Sequence, residues 1–370
     1  IGVFTAAVFA AQIVSHPIAG VLADRVGRSK TLALGGFVRV ASLVLVGVAF
    51  ALASPTIITI GRAIQGLAAG FFWTSSSAIV ADETEGGGRS GEFGRINLWV
   101  NRGMLVGAMG GLLLLPIRLD IPPYFFAAAA AVSGMYALRI KPTELVRPFA
   151  VGKGLARPPL PKSSQVTAGL AAINFLNSAG FLPIAAFLTV YVTKTVFPSG
   201  MAVNTYAVLI ALANAPQVLF LAFVGPRLAG LGDRMGRMKP LALALLANLP
   251  VSLGLIWIRE LWHLAVLGLL LAIVGIVFSA SFNSIVGDVY RSRRGFAYGG
   301  LNLSFSLGAA LGSTLGGLLF PLGWTTLVMV SVLIQATALA GVVLVWRGYS
   351  SSNVRLLGSP LLEENGLRDS

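Results

Sequence analysis

Two short stretches carry most of the charge chemistry in this chain. GVLADRVGRSK, residues 20–30, sets Asp24, Arg25, Arg28 and Lys30 between long apolar runs. LGDRMGRMK, residues 231–239, repeats the arrangement with Asp233, Arg234, Arg237 and Lys239. A carboxylate among guanidinium and ammonium groups can form ion pairs. It can also accept hydrogen bonds at the N-terminus of a neighbouring helix, where the dipole favours an anion. Gly20 and Gly27, with Gly236 in the second copy, leave room for a tight turn and a close helix approach.

A second polar set lies inside the apolar runs. Arg62 and Gln65 fall in IGRAIQGLAAG; Asn97 and Asn101 are four apart and share a helix face, with Arg102 adjacent. Asn174 and Asn177 stand just before Gly180 and Pro183, a pattern that predicts a broken helix there. His16 sits beside Pro17, where an imidazole can titrate near neutrality or serve as a hydrogen-bonded packing group. With Asn283, these residues are candidates for a polar cavity, and helix–helix hydrogen bonding is the competing reading for each.

The elements that hold these groups are membrane helices. Charged residues make up only 11% of the chain, 56% is hydrophobic, and the mean hydropathy is +0.85. A soluble surface needs roughly a quarter of its residues charged. The apolar stretches are continuous rather than alternating, which excludes barrel strands and predicts helices of ~20 residues. Breaks divide the chain into eleven spans: 3–23, 31–53, 56–81, 94–116, 122–139, 166–193, 201–224, 240–258, 262–287, 296–320 and 324–346. The expected organisation is a bundle over 1–139, a basic, proline-bearing linker over 140–165, a six-helix bundle over 166–346, and a polar tail over 347–370 without apolar periodicity.

Charge follows this division. Alternate loops hold 21 Lys and Arg; the intervening loops hold only Arg118, Lys194 and Arg259. By the positive-inside rule both charged motifs, the linker and the tail are cytoplasmic, in a multi-pass protein of the plasma membrane. The net charge of +14 is then a topological signal and implies no nucleic-acid partner. There is no cysteine, and His16 and His263 lie far apart in sequence. No H-E-x-x-H, G-x-S-x-G or phosphate-binding G-x-x-x-x-G-K-[ST] occurs, so neither a metal site, a cofactor, an enzyme activity nor ATP drive is expected.

The two motifs belong to a longer repeat. Asp24 pairs with Asp233 at an offset of 209, Asp82 with Asp288 at 206, and Asn97, Gly103 and Gly107 with Asn302, Gly308 and Gly312 at 205. The chain is therefore two copies of one helical unit, as in many secondary transporters. The second copy has one span, 166–193, without a counterpart in the first, which predicts a twelve-helix protein whose first helix is missing.

At these residues the chain resembles the major facilitator superfamily. That signature, G-x-L-x-D-R-x-G-R-x-K, is met by Gly20, Leu22, Asp24, Arg25, Gly27, Arg28 and Lys30; Ala229 replaces the first glycine in the echo. Arg62, Gln65 and Gly66 resemble the R-x-x-Q-G pattern of the fourth helix. GMLVGAMGG, residues 103–111, is similar to a fifth-helix pattern associated with antiporters, with Ala108 in place of its proline; such spacing also serves helix packing. The resemblance implies two pseudo-symmetric six-helix bundles around a cavity open alternately to each side. It further implies that both charged motifs, Arg25, Lys30, Arg234 and Lys239 included, latch the bundles at one face. The expected activity is monomeric, ion-coupled (H+ or Na+) efflux of a drug-like or metabolite molecule. Uptake of an organic anion or sugar, by symport or uniport, and a transport-inactive sensor are the alternatives. All 13 acidic residues fall in loops, at span ends or in the tail, while Arg39, Arg62 and Arg102 lie within spans. That imbalance points to a neutral or anionic solute.

Overall fold

Long apolar runs satisfy their own backbone hydrogen bonds as helices, and the described residues are almost all helical. The structure is a computed structural model that describes residues 2–84, 88–114, 118, 120–140, 163–197, 201, 203–290 and 293–357. The helices are α1 (Gly2–Arg25), α2 (Arg28–Ala51), α3 (Pro55–Glu83), α4 (Arg89–Leu114), α5 (Ile121–Arg139), α6 (Ser163–Thr195), α7 (Val203–Ala229), a five-residue α8 (Leu231–Met235), α9 (Met238–Gly254), α10 (Leu261–Val289), α11 (Arg294–Leu319) and α12 (Trp324–Leu357). Eleven of these are long, one for each predicted span. Residues 141–162 of the expected linker and 358–370 of the tail lie outside the described residues, while α12 carries helix through 347–357.

Among the described residues, nine of the long helices are apolar enough to cross a membrane, by length and composition; the described parts of α3 and α4 fall outside that set. Arg62 and Gln65 lower the hydropathy of α3, and Glu92, Arg95, Asn97, Asn101 and Arg102 that of α4. Outward faces carry exposed Val106, Leu113, Phe223, Leu318 and Leu333, side chains suited to lipid rather than water.

Local sequence sets the helix ends. Ser54 accepts from Ile57 N at the start of α3, with Pro55 in the first turn. Glu260 and His263 form a capping box at the start of α10, which gives His263 a structural task. The α1–α2 turn passes through Gly27 at φ 113° and the α8–α9 turn through Gly236 at φ 79°, a region open to glycine. The helix break expected near Pro183 is absent. α6 runs unbroken from Ser163 to Thr195, because a proline inside a membrane helix removes one backbone donor that neighbouring helices can offset.

In the first half, α3 packs on α1 and α2, and α2 packs on α5. In the second, α6 holds α11 and α12, α10 meets α7 and α9, and α12 meets α9. Two seams join the halves, α1 against α11 and α4 against α7. At the first, a Cβ on Gly20 would lie 2.7 Å from the Gly295 carbonyl, so the backbones touch.

Candidate functional site

Four charged turns meet at one end of the bundle and build two matching clusters. In the first, Asp24 at the end of α1 caps α11: Oδ1 accepts from Gly295 N at 3.1 Å and Oδ2 from Phe296 N at 2.9 Å. Asp82 at the end of α3 pairs with Arg28 of α2 and with Arg294 of α11, the latter at 3.0 Å. Arg28 also donates to the Ala78 carbonyl at 3.1 Å.

The second cluster repeats each contact. Asp233 of α8 accepts from Ser90 N at 3.2 Å and from Gly91 N at 2.9 Å, capping α4. Asp288 pairs with Arg237 and with Arg89, the latter at 2.6 Å, and Arg237 donates to the Ser284 carbonyl at 2.8 Å. In both clusters the capping carboxylate and one arginine–aspartate pair cross from one half to the other. Between the clusters, Phe93 and Tyr298, equivalent at the 205 offset, meet with ring centroids 6.3 Å apart, and Tyr298 OH donates to the Asn283 carbonyl. In both clusters the charges are satisfied across a seam and lie near helix ends, an arrangement whose chemistry allows reversible pairing.

Polar contacts deeper in the bundle are sparser. Ser306 of α11 donates to Gln12 of α1 at 3.1 Å. His16 and Thr74 join α1 to α3 through Nδ1 and Oγ1 at 3.0 Å. Within the second half, a cavity of about 340 Å³ opens between α6, α7 and α10, with Asn214 and Gln217 in its lining. A smaller one of about 90 Å³ adjoins Asn177 and Asn248.

Comparison with known proteins decides what this architecture is. Residues 1–287 match the Major Facilitator Superfamily model. The chain belongs to the major facilitator superfamily. It is thus a multi-pass membrane transporter of small molecules and not an enzyme. Multidrug resistance protein MdtG of Salmonella arizonae is 25% identical over 327 residues, covering 83% of this chain and 77% of that protein. The human organic anion transporter MFSD10 superposes with a TM-score of 0.70 at 18% identity, covering 92% of this chain and 83% of that one. The E. coli fucose:proton symporter gives 0.68 at 14%, covering 93% and 90%. At such identities the two structures speak for the fold alone.

Within this major facilitator fold the residues singled out from sequence separate into groups. Asp24, Arg28, Asp233 and Arg237 enter the clusters; Arg25, Lys30, Arg234 and Lys239 are exposed beside them. Arg62 donates to Gln65 on the same helix at 2.7 Å. Asn97 and Asn101 each donate to a carbonyl one turn back in α4. Arg102 lies over Trp99 at 4.9 Å and Phe223 at 6.0 Å, two exposed rings. Asn174 is buried and donates to the Leu301 carbonyl, pinning α6 to α11. Asn283 donates to the Ser279 carbonyl, and Asn177 borders the smaller cavity.

Sequence reading missed Arg89 and Arg294 as cluster members, although they are 205 apart, the offset already found for Gly103 and Gly308. Asp82 and Asp288 stood out as repeats without a role. Asn248, which donates to Gln335 Oε1 at 2.8 Å, gave no sequence signal beyond being an amide in an apolar run.

Proposed function

We propose that the chain is a secondary active transporter working by alternating access, which exports drug-like or metabolite molecules across the plasma membrane by exchange for H+ or Na+. The two charge clusters are its latch at the cytoplasmic face. One observation carries this reading: each half caps a helix of the other with an aspartate, at the same end and at repeat-related positions. A device fixing topology alone needs no contact across the seam. The excess of Lys and Arg in the loops at this end supports a cytoplasmic orientation. The distant MdtG relationship supports efflux.

A cysteine-free chain permits a direct test. A Cβ placed on Gly232 would lie 3.2 Å from Ser90 Cβ, close to disulfide geometry. Oxidising the Ser90→Cys/Gly232→Cys double variant in proteoliposomes is expected to cut dye flux to below about a tenth, with recovery on reduction, since a latch that cannot open stops the cycle. Undiminished flux through the cross-linked protein would remove the latch.

A further inference from the structure

The cavity between α6, α7 and α10 has a form that selects a chemical class of solute. Its volume of about 340 Å³ is that of a small-molecule site. The shallow wall is mainly apolar, formed by Leu188, Val192, Ile210 and Leu264 with the single hydroxyl of Thr189 among them, near the helix ends remote from the charged turns. Deeper along α7 stand two amides, Asn214 and Gln217. Among the described residues, no charged side chain lines the cavity.

The amides are arranged to leave an acceptor. Asn214 Nδ2 donates to the Ile210 carbonyl at 2.8 Å, and Gln217 Nε2 donates to Asn214 Oδ1 at 2.8 Å. Gln217 Oε1 turns towards Gly268, where a Cβ would lie 3.1 Å from it. The missing side chain keeps space open beside this oxygen. An anion there would find no cationic side chain, and a cation no carboxylate, among the described lining residues; burying either charge unpaired is unfavourable. An uncharged molecule with an O–H or N–H suits both floor and walls.

We infer that this cavity binds an uncharged amphiphile, its apolar body among the leucine, valine and isoleucine side chains and its hydrogen-bond donor on Gln217 Oε1. The inference deepens the transport reading and rests on it in one respect, that the bound solute is the one moved.

Three probes sharing one skeleton test it: N-phenyl-1-naphthylamine, neutral with an N–H; its N-methyl derivative, neutral without a donor; and 8-anilino-1-naphthalenesulfonate, an anion. Binding is read as saturable tryptophan-to-probe energy transfer in nanodiscs, with empty discs as the blank. The N–H probe is expected to bind about 3- to 10-fold more tightly than the N-methyl probe, as one hydrogen bond allows, and the sulfonate more weakly than either. Gly268→Leu, which fills the cavity, should weaken the N–H probe at least about tenfold, with retained thermal unfolding showing that the variant folds. Gln217→Leu should erase the preference for the donor. Tightest binding of the sulfonate, or N–H probe affinity unmoved in both variants, overturns the assignment. Flux assays with the N–H probe separate the two readings. Binding as described without flux removes transport and leaves the site; flux indifferent to Gly268→Leu removes the site and leaves transport.

Discussion

The two seams that join the halves carry the same charges and different packing. Gly20 meets Gly295 and Gly299 where α1 crosses α11; at the repeat-related places where α4 crosses α7 stand Ala229, Ser90 and Gly94. The first seam brings backbone against backbone and adds the buried Ser306–Gln12 hydrogen bond. In the second, Gly94 faces the Ala229 side chain, and Ser90 uses its hydroxyl to reach Ser284 of α10 at 2.9 Å. The lesson is that duplication preserved the electrostatic device, which needs only a carboxylate at a helix N-terminus, while the surfaces beneath it were free to diverge.

Removing a buried charge partner should expose this difference most. Asp82 is 8% exposed and Asp288 31%. Asp82→Asn leaves Arg294 without this carboxylate and Arg28 with only Asp24, at 3.7 Å, and should cost about 3–5 kcal/mol. Asp288→Asn leaves Arg89 and Arg237, 4% and 10% exposed, without this carboxylate, but the carboxylate is itself more hydrated, so the cost should be smaller, about 2–3 kcal/mol. Thermal unfolding in detergent, followed by tryptophan emission, measures both, and equal losses would show the two clusters to be energetically alike.

Exchanging seam residues comes next. Gly20→Ala gives the first seam the residue of the second but drives a methyl towards the Gly295 carbonyl, at an expected cost of about 1–3 kcal/mol. Ala229→Gly should cost only helix propensity, about 1 kcal/mol or less. If Gly20→Ala unfolds at the parent temperature, the first seam is looser than its geometry implies.

The smallest difference should appear where the two halves agree. Asp24→Asn and Asp233→Asn each weaken one cap on a helix dipole, an effect of about 0.3–2 kcal/mol. Matching hydrogen-bond geometry predicts matching losses and similar slowing of flux. Effects differing more than about threefold in proteoliposome rates would show that packing, and not the cap, governs opening.

Much of this was legible in the chain itself. The apolar runs fixed eleven long helices, because a bilayer leaves a continuous apolar stretch no other way to satisfy its backbone. Gly27 and Gly236 marked the turns, and the common offset of Asp24/Asp233 and Asp82/Asp288 marked the duplication. Which charges meet was not legible. Arg25 and Arg28 are three residues apart in one motif, yet one is exposed and the other is paired with Asp82. Arg89 and Arg294, outside both motifs, complete the clusters. Arg102 and Asn101 are adjacent in sequence; one lies over exposed aromatic rings and the other is bonded within α4.

Sequence alone determined the membrane helices, the repeat and the carboxylates able to cap a helix, since these depend on residue type and spacing along one chain. Tertiary structure alone decided which helix each carboxylate caps, which arginine it holds, and that Gln217 opens onto Gly268. Those outcomes depend on which faces of distant helices come together, and a side chain's neighbours across a seam leave no trace in its own helical period.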